Sequence, residues 1–187
     1  MRLKALAVLF LLALACQPKS DLPKLYPVPN AKLIDETGRA VQLDAMKGHV
    51  TVYNFIFTNC AAICPIMTNN MRAVTPKIDN DAPVRFVSIS VDPARDTPAV
   101  LSAYAKRHRN DPRWTFLTGD LGAIVNLSVN GFKLAANNPA PGAEPLLHSG
   151  KFAVADKEGV IRGYYDGTDG AVADEVVRAV EALLDES

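Results

Sequence analysis

The stretch HVTVYNFIF, residues 49–57, carries β-branched or aromatic side chains at both odd and even positions. A strand solvated on one face alternates apolar with polar residues, so a run apolar on both parities belongs at the centre of a sheet covered on both sides. It leads straight into Cys60, Ala61, Ala62, Ile63 and Cys64. Beyond them Ile66, Met67, Val74 and Ile78 recur at mostly helical intervals, and Pro65 falls in a first turn, where proline is tolerated. A central strand that passes into a helix across two cysteines constrains this chain more than any other feature. It sets both thiols at the strand's carboxyl end, where the helix begins.

The flanking segments agree with that centre. VRFVSISVD (84–92) reads as a second buried strand, and Thr97 caps a helix that opens at Pro98 and ends in AKRH. RWTFLTG is a third strand and DLGAIVNLSV a short helix, while GFKLAANNPAPGAEPLLHSG reads as a strand that dissolves into a loop rich in Pro, Asn and Gly. Two hairpins frame the set, one turning at Glu36-Thr37-Gly38 and one at Lys157-Glu158-Gly159, and AVADEVVRAVEALL is a closing amphipathic helix. The order is α/β with a mixed sheet flanked by helices and an N-terminal β-hairpin. A CxxxC opening a helix at a strand end within that order is the thioredoxin-like arrangement in its peroxiredoxin-like elaboration. One such domain is expected over residues 30–187.

The preceding residues have another role. Arg2 and Lys4 precede an apolar run from Ala5 to Ala15, too short for the roughly 20 residues of a membrane-spanning helix and right for a secretory signal. The run ends at Ala15-Cys16, which is similar to a bacterial lipoprotein cleavage site. Residues 1–15 are then a signal peptide, Cys16 the lipid attachment point and 16–29, rich in proline, a tether between membrane and domain. Such a protein is exported and lipid-anchored on the periplasmic face of a bacterial membrane. Twenty Lys and Arg balance twenty Asp and Glu without a basic cluster, which gives no footing for nucleic acid.

With Cys16 acylated, Cys60 and Cys64 remain, in an oxidising compartment. Four uses are open: a structural disulfide, a redox pair, a peroxide-reactive thiol with its resolving partner, or half of a metal site. A bridge across so short a loop removes little chain entropy, and a helix N-terminus favours thiolate, so chemistry is preferred over structure. Of the three histidines, His49 is expected on the surface at the far end of the central strand. His108 is expected as a cation complementing a helix C-terminus. His148 ends the long irregular loop just before a strand, a position where function concentrates. Two thiolates and an imidazole form a soft set of three donors, suited to Cu(I) and, with a further donor, Cu(II); structural zinc would want a fourth protein ligand. Asp96 and Thr97 read together as a helix cap, Asp92 as a possible support to the site, and Met67 with Met71 as a core stripe.

FIFTNCAAICP, VSISVDPARDTP and LLHSGKFAVADKEG, in this order and over about residues 28–185, resemble the Sco/SenC family of membrane-tethered copper chaperones. Ala61 and Leu147 stand where many members have Pro and Asp. The resemblance implies copper held by Cys60, Cys64 and His148 and passed to a protein partner at the membrane, a copper-receiving subunit of a respiratory oxidase. It makes the chain a metallochaperone more than an enzyme. The alternatives are a thiol-disulfide oxidoreductase using Cys60 and Cys64 as its redox-active pair on a partner's cysteines and, below that, a thiol peroxidase.

Overall fold

The computed structural model describes residues 20–134 and 149–186. Its frame is an eight-stranded sheet: β1 (Tyr26–Pro27), β2 (Lys32–Asp35), β3 (Ala40–Gln42), β4 (Val50–Ile56), β5 (Val84–Ser90), β6 (Trp114–Thr118), β7 (Lys151–Ala155) and β8 (Val160–Asp166), in the spatial order β1-β8-β7-β4-β5-β6-β2-β3. β4, β5 and β6 run parallel, and the outer strands pair antiparallel. The helices are α1 (Ile63–Val74), α2 (Pro98–His108), α3 (Leu121–Asn126) and α4 (Val172–Leu184).

β4 is buried at all seven positions, as its double-sided apolar pattern requires. On one face Tyr53 and Phe55 meet the edge of Phe132, with ring centroids 5.0 and 5.2 Å apart. Asn54 belongs to the alternate register, where its side chain accepts a 2.6 Å hydrogen bond from Ser88, whose oxygen in turn accepts from the Trp114 indole at 2.9 Å. Met67 and Met71 of α1 are fully buried, in keeping with a core stripe. The β2–β3 hairpin joins the main sheet through β6.

Two expectations change here. Over the described residues 131–134 the strand foreseen from Gly131 is not seen: α3 continues into a wide helical turn, Leu127–Gly131, and Lys133 takes a φ of 52°. Phe132 is drawn into the core against Tyr53 and Phe55, and its carbonyl accepts from the Tyr164 hydroxyl at 2.6 Å, which leaves no extended backbone for a ladder. The second concerns the tether, of which the part from Ser20 onward is docked. Tyr26–Pro27 pairs with β8, Leu25 N–H donates to Ile161 O at 2.9 Å and Val28 N–H to Gly159 O at 2.8 Å. Arg162, 2% exposed, donates to the carbonyls of Pro23 and Leu22 and to the carboxylates of Asp156 and Glu186. A Pro-rich sequence marks an extended spacer without a core of its own, yet on an edge strand proline costs no ladder bond, and the described part of the tether lies on the domain from Ser20 onward.

Among the described residues no helix is long and apolar enough to cross a membrane. Cys16 and His148 lie outside the described residues.

Candidate metal centre

β4 ends at Ile56, and a turn closed by the Cys60 N–H on the Phe57 carbonyl (3.3 Å) carries the chain to Cys60. α1 follows with Ala62 in the capping position and without a side-chain cap. A helix start leaves its first N–H groups without intrahelical partners, and those of Ala62, Ile63 and Cys64 are directed at the Cys60 sulfur. Partial burial alone would push the Cys60 thiol up, but hydrogen bonds from the N–H groups of Cys64, Ala62 and Ile63 and from the Cys64 thiol together bring it below its usual value. Cys64 sits in the first turn of α1, 3% exposed. Burial pushes its thiol up to about 12, against an opposing hydrogen bond from Phe57, with the Cys60 sulfur and the Asp96 charge adding to the rise. Both cysteines are free. The pair is thus unequal: an accessible sulfur poised as thiolate in contact with a buried one held as thiol.

The structure brings a third segment to this point. β7 begins at Lys151, beside the end of β8, and Gly167 N–H donates to Gly150 O at 2.6 Å. The approach is close: a Cβ on Gly167 would lie 2.9 Å from that oxygen, 3.1 Å from Phe152 and 3.2 Å from Met67. Asn70 of α1 donates to the carbonyls of Gly167 (2.8 Å) and Asp169 (3.0 Å). On its other side a Cβ at Gly150 would stand 3.9 Å from Cδ1 of Ile63, the residue before Cys64. Gly150 thus lies near the side-chain tip of Ile63, with the Thr168 methyl nearer still at 3.4 Å from the same Cβ position. Asn70 was not singled out by the sequence; a lone Asn on a helix carries no signal until its partner is known.

The remaining expectations sort as follows. Thr97 caps α2, accepting from Val100 N–H at 3.4 Å. Asp96 does not share that work; it turns to Thr58 and Ser90 instead. Asp92 faces Arg95, 2.9 Å away. His49 lies at the start of β4, far from the cysteines, but is partly covered, and its Nδ1 has no partner among the described residues. His108 ends α2 and packs on Tyr104 at 4.3 Å; burial, Arg107 and Arg72 push its imidazole down, so it is not the helix-complementing cation foreseen. Among the described residues no group of three or more His, Cys, Asp or Glu is gathered to hold a metal. Two cysteine sulfurs are the part of the donor set described.

A family model described as SCO1/SenC matches residues 28–185. BsSco, described as a member of the Sco family of cytochrome c oxidase assembly proteins with a disulfide switch, superposes with a TM-score of 0.76 and 29% identity, over 91% of this chain and all of that one. A SCO1/SenC family lipoprotein from Bacillus anthracis gives 0.73 and 30%, covering 84% and 95% of the two chains. Bradyrhizobium japonicum ScoI, solved with copper bound, gives 0.65 and 25%, covering 85% and 99%.

Proposed function

The chain belongs to the SCO1/SenC family, and on that premise we propose that it is a membrane-tethered copper chaperone whose cargo is held by Cys60, Cys64 and His148. The observation that carries this reading is the pair of free cysteines at the start of α1, Cys60 partly exposed and Cys64 buried, in a chain of this family. His148 enters this reading from the sequence, as the imidazole two residues before Gly150 that would complete a set of three soft donors. Two thiolates and one imidazole satisfy Cu(I) as a trigonal site and accept Cu(II) when another donor joins. The fold class and the copper-bound relative from Bradyrhizobium japonicum support the same metal.

The residues divide the work of holding and release. Copper must displace the proton that burial keeps on Cys64, so binding releases protons and strengthens as pH rises. Cys60, at the exposed edge of the pair, is the ligand that a recipient's donor groups can replace first. Delivery to a copper site of a respiratory oxidase, from a lipid anchor on Cys16 at the periplasmic face, is the proposed task. It is supported by the oxidase-assembly description of BsSco and the lipoprotein description of the Bacillus anthracis relative.

The inequality of the two thiols favours one further use. Cys60 thiolate attacks a sulfur of a partner disulfide, forming a mixed disulfide and releasing one partner thiolate. Cys64, on losing its proton, then attacks Cys60, closing the internal disulfide and releasing the second; the pair supplies both electrons. The metal reading is tested by titrating the reduced chain with copper. One copper per chain is expected, with a thiolate-to-Cu(II) absorption that H148A weakens and shifts. Unchanged affinity and spectrum in that variant would remove His148 from the site.

A further inference from the structure

Asp96 is 1% exposed, and its carboxylate reaches across to the turn that carries Cys60. Oδ2 accepts from the Thr58 N–H at 3.0 Å and from the Ser90 hydroxyl at 2.5 Å, and Oδ1 accepts from the Thr58 hydroxyl at 2.5 Å. Thr58 is the second residue of the turn that Cys60 N–H closes on Phe57. The other side of the clamp is equally fixed. Asp96 N–H donates to Asp92 O at 2.8 Å, Asp92 N–H to the Ser90 oxygen at 3.1 Å, and Val91 N–H to Ile56 O at 2.9 Å. The carboxylate thus ties the end of β4 to the end of β5 at the level of the sulfurs.

α2 does not account for this charge, because Thr97 supplies the cap. A carboxylate is costly to bury and persists only when charge-assisted donors surround it; here two of the three come from a single residue of the cysteine turn. We propose that Asp96 is a positioning residue for Cys60: by clamping Thr58 it holds the first sulfur at the spacing from the second that disulfide closure and copper binding both need. The copper half of this statement rests on the function proposed above; the disulfide half does not.

Without the clamp, residues 58–60 regain backbone freedom that must be lost again each time the two sulfurs meet. The effective concentration of Cys60 at Cys64 falls, and the disulfide becomes easier to reduce. The substitutions separate clamp from charge. In D96N the amide oxygen takes the Thr58 N–H and Ser90 bonds while its NH2 donates to the Thr58 hydroxyl, so the geometry survives without the charge. D96A loses all three bonds, and T58V loses one while retaining the backbone bond.

The readout is the equilibrium of the full chain with glutathione, followed by thiol counting, with copper absorption and melting temperature recorded beside it. D96A is expected to favour the dithiol by about tenfold, which is a rise of about 30 mV in midpoint potential, T58V by about threefold, and D96N by less than T58V. The copper band is expected to shift in the same order. Should the chain bind no copper, the glutathione series alone still decides. An equilibrium within twofold of the parent in D96A, despite a lowered melting temperature, would reduce Asp96 to a structural residue and overturn the proposal. So would a D96N value as displaced as that of D96A. If D96A fails to fold, a parent-like T58V overturns it.

Discussion

At pH 8 the two cysteines of one short turn should differ in reactivity by more than an order of magnitude. With its thiol pushed up to about 12, Cys64 is thiolate in only ~10⁻⁴ of molecules, while Cys60, below its ordinary value of 9.0, exceeds about 10%. The ratio of thiolates is thus about a thousand or more. Intrinsic nucleophilicity works the other way, because a more basic thiolate attacks faster, with a Brønsted slope of about 0.4–0.5. Over three pH units that returns about twentyfold to Cys64, leaving Cys60 ahead by at least about thirtyfold. Burial at 3% exposure widens the gap further, since the alkylating reagent must reach the sulfur. The assay is a time course of iodoacetamide labelling of the reduced chain, with the two sites resolved by fragment-ion mass spectrometry. The same order should appear in trapping: C64S should accumulate a mixed disulfide with a small aromatic disulfide and C60S should not. Equal labelling rates, or faster loss of Cys64, would refute the assignment of thiolate to Cys60 and thiol to Cys64.

Replacing Arg162 with Met should cost about 3 kcal/mol in urea unfolding at pH 7, the low end for breaking a buried ion pair, because Glu186 keeps 19% side-chain exposure and can rehydrate. The Arg162 hydrogen bond, opposed by burial and aided by Ser20, holds Glu186 down at about 2 from 4.5; since the folded value lies below the unfolded one, its contribution is complete above about pH 4.5 and lost as pH falls through about 2. The parent should therefore lose stability over that window more steeply than R162M, and parallel slopes would count against the pair. Cys16→Ser should abolish lipid attachment and membrane fractionation; continued acylation of that variant would end the lipoprotein reading.

Period-2 and period-3.6 patterns made most of the fold legible: β4, β5, α1, α2 and α4 fall where a double-sided apolar run, a Thr-Pro start or an amphipathic stripe announces them. At residues 131–134 Gly-Phe-Lys-Leu satisfies a strand pattern as well as a buried helix end, and only the distant rings of Tyr53 and Phe55 decide between them. The docked Pro-rich segment escaped for a related reason, since the guanidinium that binds its carbonyls comes from Arg162, some 140 residues away in sequence. At the candidate site, the cysteines were visible as a local spacing. The roles of Asp96 and Asn70 are not, for Asp96 meets Thr58 and Ser90 and Asn70 meets the carbonyls of Gly167 and Asp169, partners on other elements that a linear pattern does not bring together.

Delivery of copper and exchange of disulfides use the same two sulfurs, and the fold favours neither by excluding the other. A pair built only to hold metal gains from two equal thiolates, whereas the helix start here charges one sulfur and the core neutralises the other. That inequality serves exchange directly, because an attacking thiolate needs a partner that waits as a thiol until it is called on to resolve the mixed disulfide. It also serves a cargo that must leave, because copper held against the second proton is bound less tightly as pH falls. The discriminating residue is then His148, three positions before β7 begins in the sequence. An imidazole adds nothing to sulfur exchange but supplies a third donor to copper, so an H148A chain that exchanges disulfides normally and binds copper weakly would assign the residue to the metal, and one that binds copper like the parent would leave exchange as the use of the pair.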